Sequence, residues 1–444
     1  MEIANRFCAF INEYQLFATT DRVLLGVSGG RDSMLMLWLF HMQQIDIEVA
    51  HCNFQLRGAE SDSEEEFVQA YCSKHAIPYH VRRFDTEKIA AERKISIQMA
   101  ARELRYSWFE ELATTHGCAT IAVAQHKHDQ VETVLLNLTR GTGLAGLQGI
   151  LPKRGRIVRP LLFLDANEVS EAVKHYNIPY RDDSSNFSNK YARNKIRLDI
   201  VPQFEQIHPQ FVDTMIDNIE RFRDGYQVLQ QLMDERRRQL FHNEGDGRYR
   251  VDKAALRNTD IAMLYYLFEP YGFAKPVLRD MLNALDHEPG RIFESPTYRI
   301  LLDREQLLIQ SVTADDVVPT YIYETETRSS WGDRQFTLDL TSSLEIVRDP
   351  NIAQLDHALL QFPLQIRSWQ EGDYFQPLGM QGSKKLSDYF VQQKINLFDK
   401  KNIPIVVNAN GDILWIAGYR IDDRYKITEN TQKVLTLVCH KRGI

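Results

Sequence analysis

The stretch that most constrains the fold is Val23-Leu24-Leu25-Gly26-Val27-Ser28-Gly29-Gly30-Arg31-Asp32-Ser33, which runs straight into the apolar segment Met34 to Phe40. The apolar residues from Val23 to Val27 suit a parallel strand covered on both faces. Gly29 and Gly30 permit a turn that a Cβ would obstruct, and a helix then begins at or near Asp32. This order aims the first backbone N–H groups of the helix, those of Ser28 to Gly30, and the hydroxyls of Ser28 and Ser33 at one point. Such a point suits a phosphate or pyrophosphate. A bare Gly-Gly also occurs in ordinary strand-to-helix turns, so the reading rests on the whole hexapeptide.

Ser28-Gly29-Gly30-Arg31-Asp32-Ser33 resembles the SGGxDS loop of the N-type ATP pyrophosphatases, and it sits between strand and helix as that resemblance requires. No Gly-Lys-Ser/Thr follows, so it is not a Walker loop. The resemblance implies ATP binding by Ser28, Gly29, Gly30, Arg31, Asp32 and Ser33. It also implies cleavage between the α and β phosphates, with adenylation of a substrate.

Before this loop, Phe7, Phe10, Ile11, Tyr14 and Phe17 follow helical spacing and read as an amphipathic helix packed on the first strand. After it, strands are expected at Ile45–His51, Pro78–Phe84 and Ala119–Ala124. Helices are expected from the acidic run Glu60–Glu66 to about His75, over Ile95–His116, and from the Asp129 segment through Leu138. Four strands alternating with helices predict an α/β fold with a doubly wound parallel sheet. Ligands of such sheets bind beyond the strands' carboxyl ends, where His51–Gly58 and Asp129 fall. Arg102 and Arg105 share one side of their helix, and the preceding Ala100-Ala101 lets another backbone approach. Such arginines are commonly surface groups; facing a site, they would suit a transferring phosphoryl group.

His126 and His128 lack a partnered third ligand and read as polar groups rather than metal ligands. Arg140–Gly149 holds four glycines and reads as a mobile lid. A helix is expected over Asn167–Asn177. The Asp182–Asn186 loop then leads into Tyr191–Arg197, where Arg193, Asn194 and Arg197 with nearby Lys195 suit phosphate contacts along an RNA.

Beyond residue 210 the pattern changes. Helices over Phe211–Phe241, Ile261–Tyr271 and Lys275–Leu285 predict a small helical middle domain. Its Arg221, Arg223, Arg236, Arg237 and Arg238 either track phosphates or solvate a helix face. Residues 312–361 read as a linker with short strands, and 362–444 as a small α+β domain. There Lys384 and Lys385, interleaved with Tyr389 and Phe390, would bind and stack on nucleic acid, or else form a packed core with solvated lysines. The expected domains are therefore 1–210, 211–311, 312–361 and 362–444.

Composition narrows the function. At 444 residues the chain exceeds one ordinary core, and 43% hydrophobic with 25% charged residues is usual for soluble globular chains. No apolar run reaches the roughly 20 residues that span a bilayer, and Met1–Arg6 does not lead into a secretory signal. Membrane association is therefore not expected. Cys8, Cys52, Cys72, Cys118 and Cys439 are odd in number and contain no CxxC pair, which predicts a reducing cytoplasm and argues against a structural zinc. A net charge of −7 means that any nucleic-acid contact comes from local basic patches.

Taken in order, the Ser28 loop, His51–Arg57, Ala100–Tyr106, Asp129–Thr133, Arg140–Leu147, Tyr191–Arg197 and the distal Gly379-Met380 with Lys384–Phe390 resemble the tRNA(Ile)-lysidine synthetase family over nearly the full chain. The resemblance implies adenylation of O2 of the wobble cytidine in the isoleucine tRNA with a CAU anticodon. Free L-lysine then displaces AMP at C2 to give lysidine. It gives catalytic roles to Asp32, which organises Mg²⁺ or pyrophosphate, to Arg105, which offsets charge at the α-phosphate, and to Asp129, which binds the lysine ammonium or assists its deprotonation. It also places tRNA contacts at Arg193, Asn194, Arg197, Lys384 and Lys385. ATP is the substrate and Mg²⁺ accompanies it, with no protein ligand assigned. The sequence leaves a homodimer open.

The chain departs from the family pattern at Phe54, where a histidine is common, and at Gln125 and His128. Three other functions compete. A tRNA thiolase of the same superfamily would call on Cys52 or Cys118. A glutamine-fed synthetase would need an ammonia source that is not visible, and a non-catalytic RNA-binding protein would not need Asp32, Arg105 and Asp129.

Overall fold

The computed structural model describes residues 2–181, 192–312 and 318–441. The expected loop at Asp182–Asn186 and Tyr191 lie outside the described residues. The chain divides into two compact units, residues 1–229 and 230–444.

The first unit is built on β1 (Val23–Gly26), β2 (Ile47–Asn53), β3 (Tyr79–Arg83), β4 (Thr120–Val123), β5 (Lys153–Arg154) and β6 (Ile157–Val158), in spatial order β3-β2-β1-β4-β6-β5. All neighbours are parallel except the β5–β6 edge pair. The order reverses between β1 and β4, so a crevice opens beyond their carboxyl ends.

Helices cover both faces. They are α1 (Glu2–Glu13), α2 (Arg31–Met42), α3 (Ala59–Lys74), α4 (Thr86–Arg93), α5 (Ile97–Thr115), α6 (Lys127–Arg140), α7 (Leu144–Leu147) and α8 (Ala166–His175). The two-residue period of β1 explains its unbroken apolar run. Val23 and Leu25 join a core with Phe7 of α1, Met34 and Leu37 of α2, Val68 of α3 and Val169 of α8. Leu24, between them, faces Trp108 and Phe109 of α5 on the opposite side. Each such buried side chain contributes about 1.5–3 kcal/mol.

The unit continues through α9 (Ala192–Lys195), a π-helical turn over Ile196–Ile200, α10 (Val201–Ile207) and the start of α11 (Phe211–Leu240). The glycine-rich segment expected as a mobile lid makes hydrogen bonds to two neighbouring helices. It carries α7, Asn137 Nδ2 donates to Gly146 O at 2.9 Å, and Arg223 Nη2 donates to Gln148 O at 3.1 Å.

In the second unit the middle section holds more than helices. β7 (Phe241–Gly245), β8 (Arg248–Asp252), β9 (Ile292–Glu294), β10 (Tyr298–Leu302) and β11 (Gln306–Ser311) form an antiparallel sheet in the order β7-β8-β11-β10-β9. α12 (Lys253–Leu256), α13 (Ile261–Phe268) and α14 (Lys275–Ala284) accompany it. Arg237 donates from Nε and Nη2 to the carbonyls of Leu267 and Tyr266 near the end of α13, so it caps a helix.

The stretch expected as a linker supplies β12 (Thr320–Ile322), β13 (Arg328–Trp331), β14 (Arg334–Thr341) and β15 (Ile352–Asp356). Further strands are β16 (Leu364–Arg367), β17 (Tyr374–Phe375), β18 (Lys384–Lys385), β19 (Ile405–Val407), β20 (Ile413–Ile416), β21 (Arg420–Ile421) and β22 (Val434–Lys441). They form two sheets, β12-β16-β19-β20-β21 and β13-β14-β22-β15, and a β17–β18 pair. Val406 faces the core shared by the two sheets, with Phe336 and Trp415. Ile405 and Val407 point the other way, against Tyr389 and Phe390 of α15 (Leu386–Gln392).

Candidate active site

A cleft of about 670 Å³ opens at the carboxyl ends of β1, β2 and β4. Its lining includes Ser28, Gly30, Arg31, Asp32, Ser33, Arg105, Asp129, Arg193 and Arg197, so residues separated by up to 169 positions meet in one place.

The loop between β1 and α2 is held largely by itself. Ser33 Oγ accepts the N–H groups of Ser28 and Gly29, both at 3.2 Å, and donates to Gly30 O at 2.9 Å. Ser28 Oγ accepts the Gly30 N–H at 3.3 Å. These donors were expected to face an anion; in the structure they fix the loop's shape. The first-turn N–H groups of α2 lack intrahelical acceptors, which leaves donors open at the mouth of the cleft. Gly29 has φ +94°, which a side chain would strain, and a Cβ there would lie 3.2 Å from Val68. His51 supports the loop from β2 through its Nδ1, 2.9 Å from Val27 O, and burial holds its imidazole below the ordinary range. A neutral His51 donates this hydrogen bond without placing a cation under the phosphate site.

Arg31 is turned aside: its Nη1 donates to Ser170 Oγ at 2.7 Å and its Nε lies 3.4 Å from Asp32 Oδ1. Asp32 keeps one third of its side chain exposed, 33%. His126, nearly fully buried, stands between two carboxylates: Nε2 is 3.7 Å from Asp32 Oδ2 and Nδ1 is 3.7 Å from Asp129 Oδ2.

On the α5 side, Arg105 lies over the Phe54 ring, 5.2 Å from its centroid, and Arg102 lies over Tyr106 at 4.9 Å. Phe54 in turn stacks on Phe84 at 5.7 Å. The aromatic at a position where the family often has histidine thus supplies a face for the guanidinium. Gln125 has its own partner, for its Oε1 accepts Arg159 Nε at 2.7 Å. Burial pulls the Arg159 guanidinium below its ordinary range. His128 Nδ1 accepts the Ala166 N–H at 3.4 Å, and burial, followed by His126, lowers its imidazole.

The other wall is a four-residue charge cluster. Asp129 Oδ2 accepts the His126 N–H at 2.9 Å, which caps α6, while Oδ1 accepts Arg193 Nη2 at 2.9 Å and lies 3.4 Å from Arg197 Nη2. Glu132, one turn further on and 1% exposed, accepts Arg193 Nε at 2.7 Å and Arg197 Nε at 2.5 Å. Burial alone would push the Asp129 carboxyl up. His126, Arg193, the His126 N–H and Arg197 outweigh it and hold the group below the usual carboxylate range. Arg193 and Arg197, expected to face an RNA backbone, are directed at two carboxylates, whose own buried charge needs these partners.

Lys384 and Lys385 belong to the second unit. Lys384 Nζ donates to Gln392 Oε1, and Lys385 Nζ lies 5.9 Å from the Tyr374 ring centroid. Tyr389 and Phe390 are buried, so the packed-core reading of this segment describes them and no base stacks on them. Glu132, Arg159 and Gly26 carried no role in the sequence reading, and His51 entered it only as the start of a segment beyond the strands' carboxyl ends. A carboxylate three residues beyond Asp129 on a helix was the one available signal for Glu132.

A glycine loop opening α2 at the switch point of a parallel sheet, above a cleft of arginines and carboxylates, defines a nucleotide-binding domain of the PP-loop class; the PP-loop domain family matches residues 1–204. The TilS substrate binding domain matches residues 244–312, and the TilS substrate C-terminal domain matches residues 364–438. The chain is 36% identical to the tRNA(Ile)-lysidine synthase of Bacteroides thetaiotaomicron, covering 98% of this chain and 99% of that protein. It is 37% identical to that of Parabacteroides distasonis (96% and 97%) and 30% identical to that of Caldanaerobacter subterraneus subsp. tengcongensis (96% and 95%). The chain belongs to the tRNA(Ile)-lysidine synthase family, and is an ATP-dependent ligase of that kind.

Proposed function

We propose that the cleft of the first unit adenylates the wobble cytidine of the CAU-anticodon isoleucine tRNA and then joins it to free L-lysine. The observation that carries this reading is the convergence of the Ser28–Ser33 loop, Arg105 and the Asp129–Glu132 cluster on one cleft. Cytidine O2 attacks the α-phosphorus, and the bond to the β-phosphate oxygen breaks with its electron pair leaving on pyrophosphate. A lysine amine then attacks C2, the C2–O bond breaks, and AMP departs with that pair while the amine releases its proton. Adenylation matters because the free carbonyl oxygen is a poor leaving group.

The α2 N-terminus and Arg105 bear on the negative charge that develops at the phosphates. Asp32 is a hard oxygen donor with an open face on the cleft, which fits the Mg²⁺ that accompanies ATP. When bound, that ion neutralises phosphate charge. Asp129 is depressed and anionic at neutral pH, so it attracts the lysine ammonium rather than taking its proton. Asp129 and Glu132 with Arg193 and Arg197 present both signs of charge, which suits a zwitterionic amino acid. For the tRNA backbone we assign Asn194, Lys384 and Lys385, with Arg193 and Arg197 acting on the cleft side of the bound anticodon.

The thiolase alternative draws no support from the cysteines. Cys52 lines the cleft, but burial pushes its thiol up to about 12, against the pull of Arg105 and Arg82. A thiol so protonated is a weak nucleophile. Pyrophosphate release with ATP and the CAU-anticodon tRNA tests the order of steps. Release that depends on the tRNA and precedes lysine addition is expected; release that ignores the tRNA would reject the proposal.

A further inference from the structure

At the opposite end of the parallel sheet from the cleft, Glu48 near the start of β2, His80 in β3 and His116 just after α5 meet. One ligand atom from each lies within 4.8 Å of the others. His80 Nε2 is 2.8 Å and His116 Nδ1 is 3.0 Å from the same oxygen, Glu48 Oε2. The two imidazole rings are 4.4 Å apart. Glu48 is buried, while the histidine side chains remain 24% and 33% exposed, which leaves an approach from solvent.

We propose that Glu48, His80 and His116 form a binding site for a divalent transition metal of the zinc class, remote from the nucleotide cleft and separate from the Mg²⁺ of ATP. Two imidazoles and one carboxylate are a donor set that zinc takes with a water in the fourth position, and imidazole selects such metals over Mg²⁺. Ligand atoms about 2.0–2.1 Å from a tetrahedral zinc stand roughly 3.3 Å apart. The His80 and His116 contacts to Glu48 Oε2, at 2.8 and 3.0 Å, therefore need to open by only about 0.5 and 0.3 Å. Arg22 fixes the carboxylate from behind: its Nη1 lies 3.3 Å from Glu48 Oε1 and its Nε donates to Asp46 Oδ2 at 2.9 Å. Oε2 is thereby left for the metal, in the way outer hydrogen bonds orient a metal-bound carboxylate. The metal would take the lone pairs of the two imidazole nitrogens that now face Glu48 Oε2.

Cobalt(II), which reports tetrahedral coordination by its visible absorption, is the probe for the full-length chain after chelator treatment. The wild-type chain is expected to bind one equivalent that zinc displaces. The doubly substituted His80→Ala/His116→Ala chain, altered only at half-exposed side chains, is expected to lose that equivalent or bind it at least roughly tenfold more weakly. Glu48→Gln is expected to weaken it as well, and both variants keep normal pyrophosphate release. Equal cobalt binding in wild type and the double variant would overturn the proposal, because the metal would then sit elsewhere. Absence of an equivalent in the wild type would overturn it too, leaving the three residues as a hydrogen-bonded cluster.

Discussion

Glu132 receives Arg193 at 2.7 Å while being 1% exposed, so a buried carboxylate on α6 holds an arginine that comes 61 residues later. Asp129 takes the same guanidinium through Nη2. Removing Glu132 leaves Arg193 and Arg197 facing one carboxylate instead of two. Glu132→Ala is expected to lower the unfolding free energy by about 2–3 kcal/mol, below the range for fully buried pairs because the arginines are partly solvated. Urea unfolding checks it. Glu132→Gln, which keeps the hydrogen-bond acceptor, should recover part of the loss.

Gly26 faces the ring of Phe109 so closely that a Cβ would lie 2.6 Å from it. Gly26→Ala is expected to cost about 1–3 kcal/mol through overpacking and to disturb the loop that follows β1. Thermal unfolding should show it. Adding Phe109→Leu should restore stability in part, and no restoration would locate the strain elsewhere.

Arg105 rests on Phe54, and a cation over an aromatic ring contributes about 0.5–2 kcal/mol. Phe54→Leu is expected to slow pyrophosphate release roughly three- to tenfold at saturating ATP, with tRNA affinity unchanged. Phe54→His, the residue the family often has here, should retain most of the rate. Single-turnover assays separate the two variants.

The Asp129 carboxyl is held below the ordinary carboxylate pKa of about 3.9. A depressed folded-state value means that its contribution to stability is complete above the unfolded value. That contribution is lost as pH falls from about 4 through the lower folded value. The stability difference between wild type and Asp129→Asn should therefore be flat from about pH 5 upward and shrink below about pH 4. A difference that grew on acidification would contradict the ion pairing described.

The nucleotide end of the fold was legible because its signals are local. Val23–Val27 alternates between two apolar cores, and the Ser28–Ser33 loop lies at the strand-to-helix junction where its motif requires it. What could not be read depended on distant partners. A glutamate on a helix looks solvated until Arg193 and Arg197 fold onto it, and Phe54 looked like a departure until Arg105 packed over it. Backbone donors of Ser28 and Gly29 look available to phosphate in a sequence, yet Ser33 claims them.

The middle sheet was missed for a related reason. Arg248–Asp252 carries three charges in five residues and Ile292–Glu294 is only three residues long, and only pairing with β11 and β10 makes them strands. The same holds between residues 320 and 356. There the strands look like a linker until β22 and β16 supply their partners.

The central claim is that this cleft turns a carbonyl oxygen of RNA into a leaving group for lysine. Its most direct test is mass spectrometry of nucleosides from CAU-anticodon isoleucine tRNA after incubation with the chain, ATP and isotope-labelled lysine. Wild type is expected to yield one labelled, lysine-bearing cytidine per tRNA. Asp32→Ala is expected to yield none while still binding the tRNA. An unmodified wobble cytidine from a wild-type chain that binds both ATP and tRNA would contradict the account.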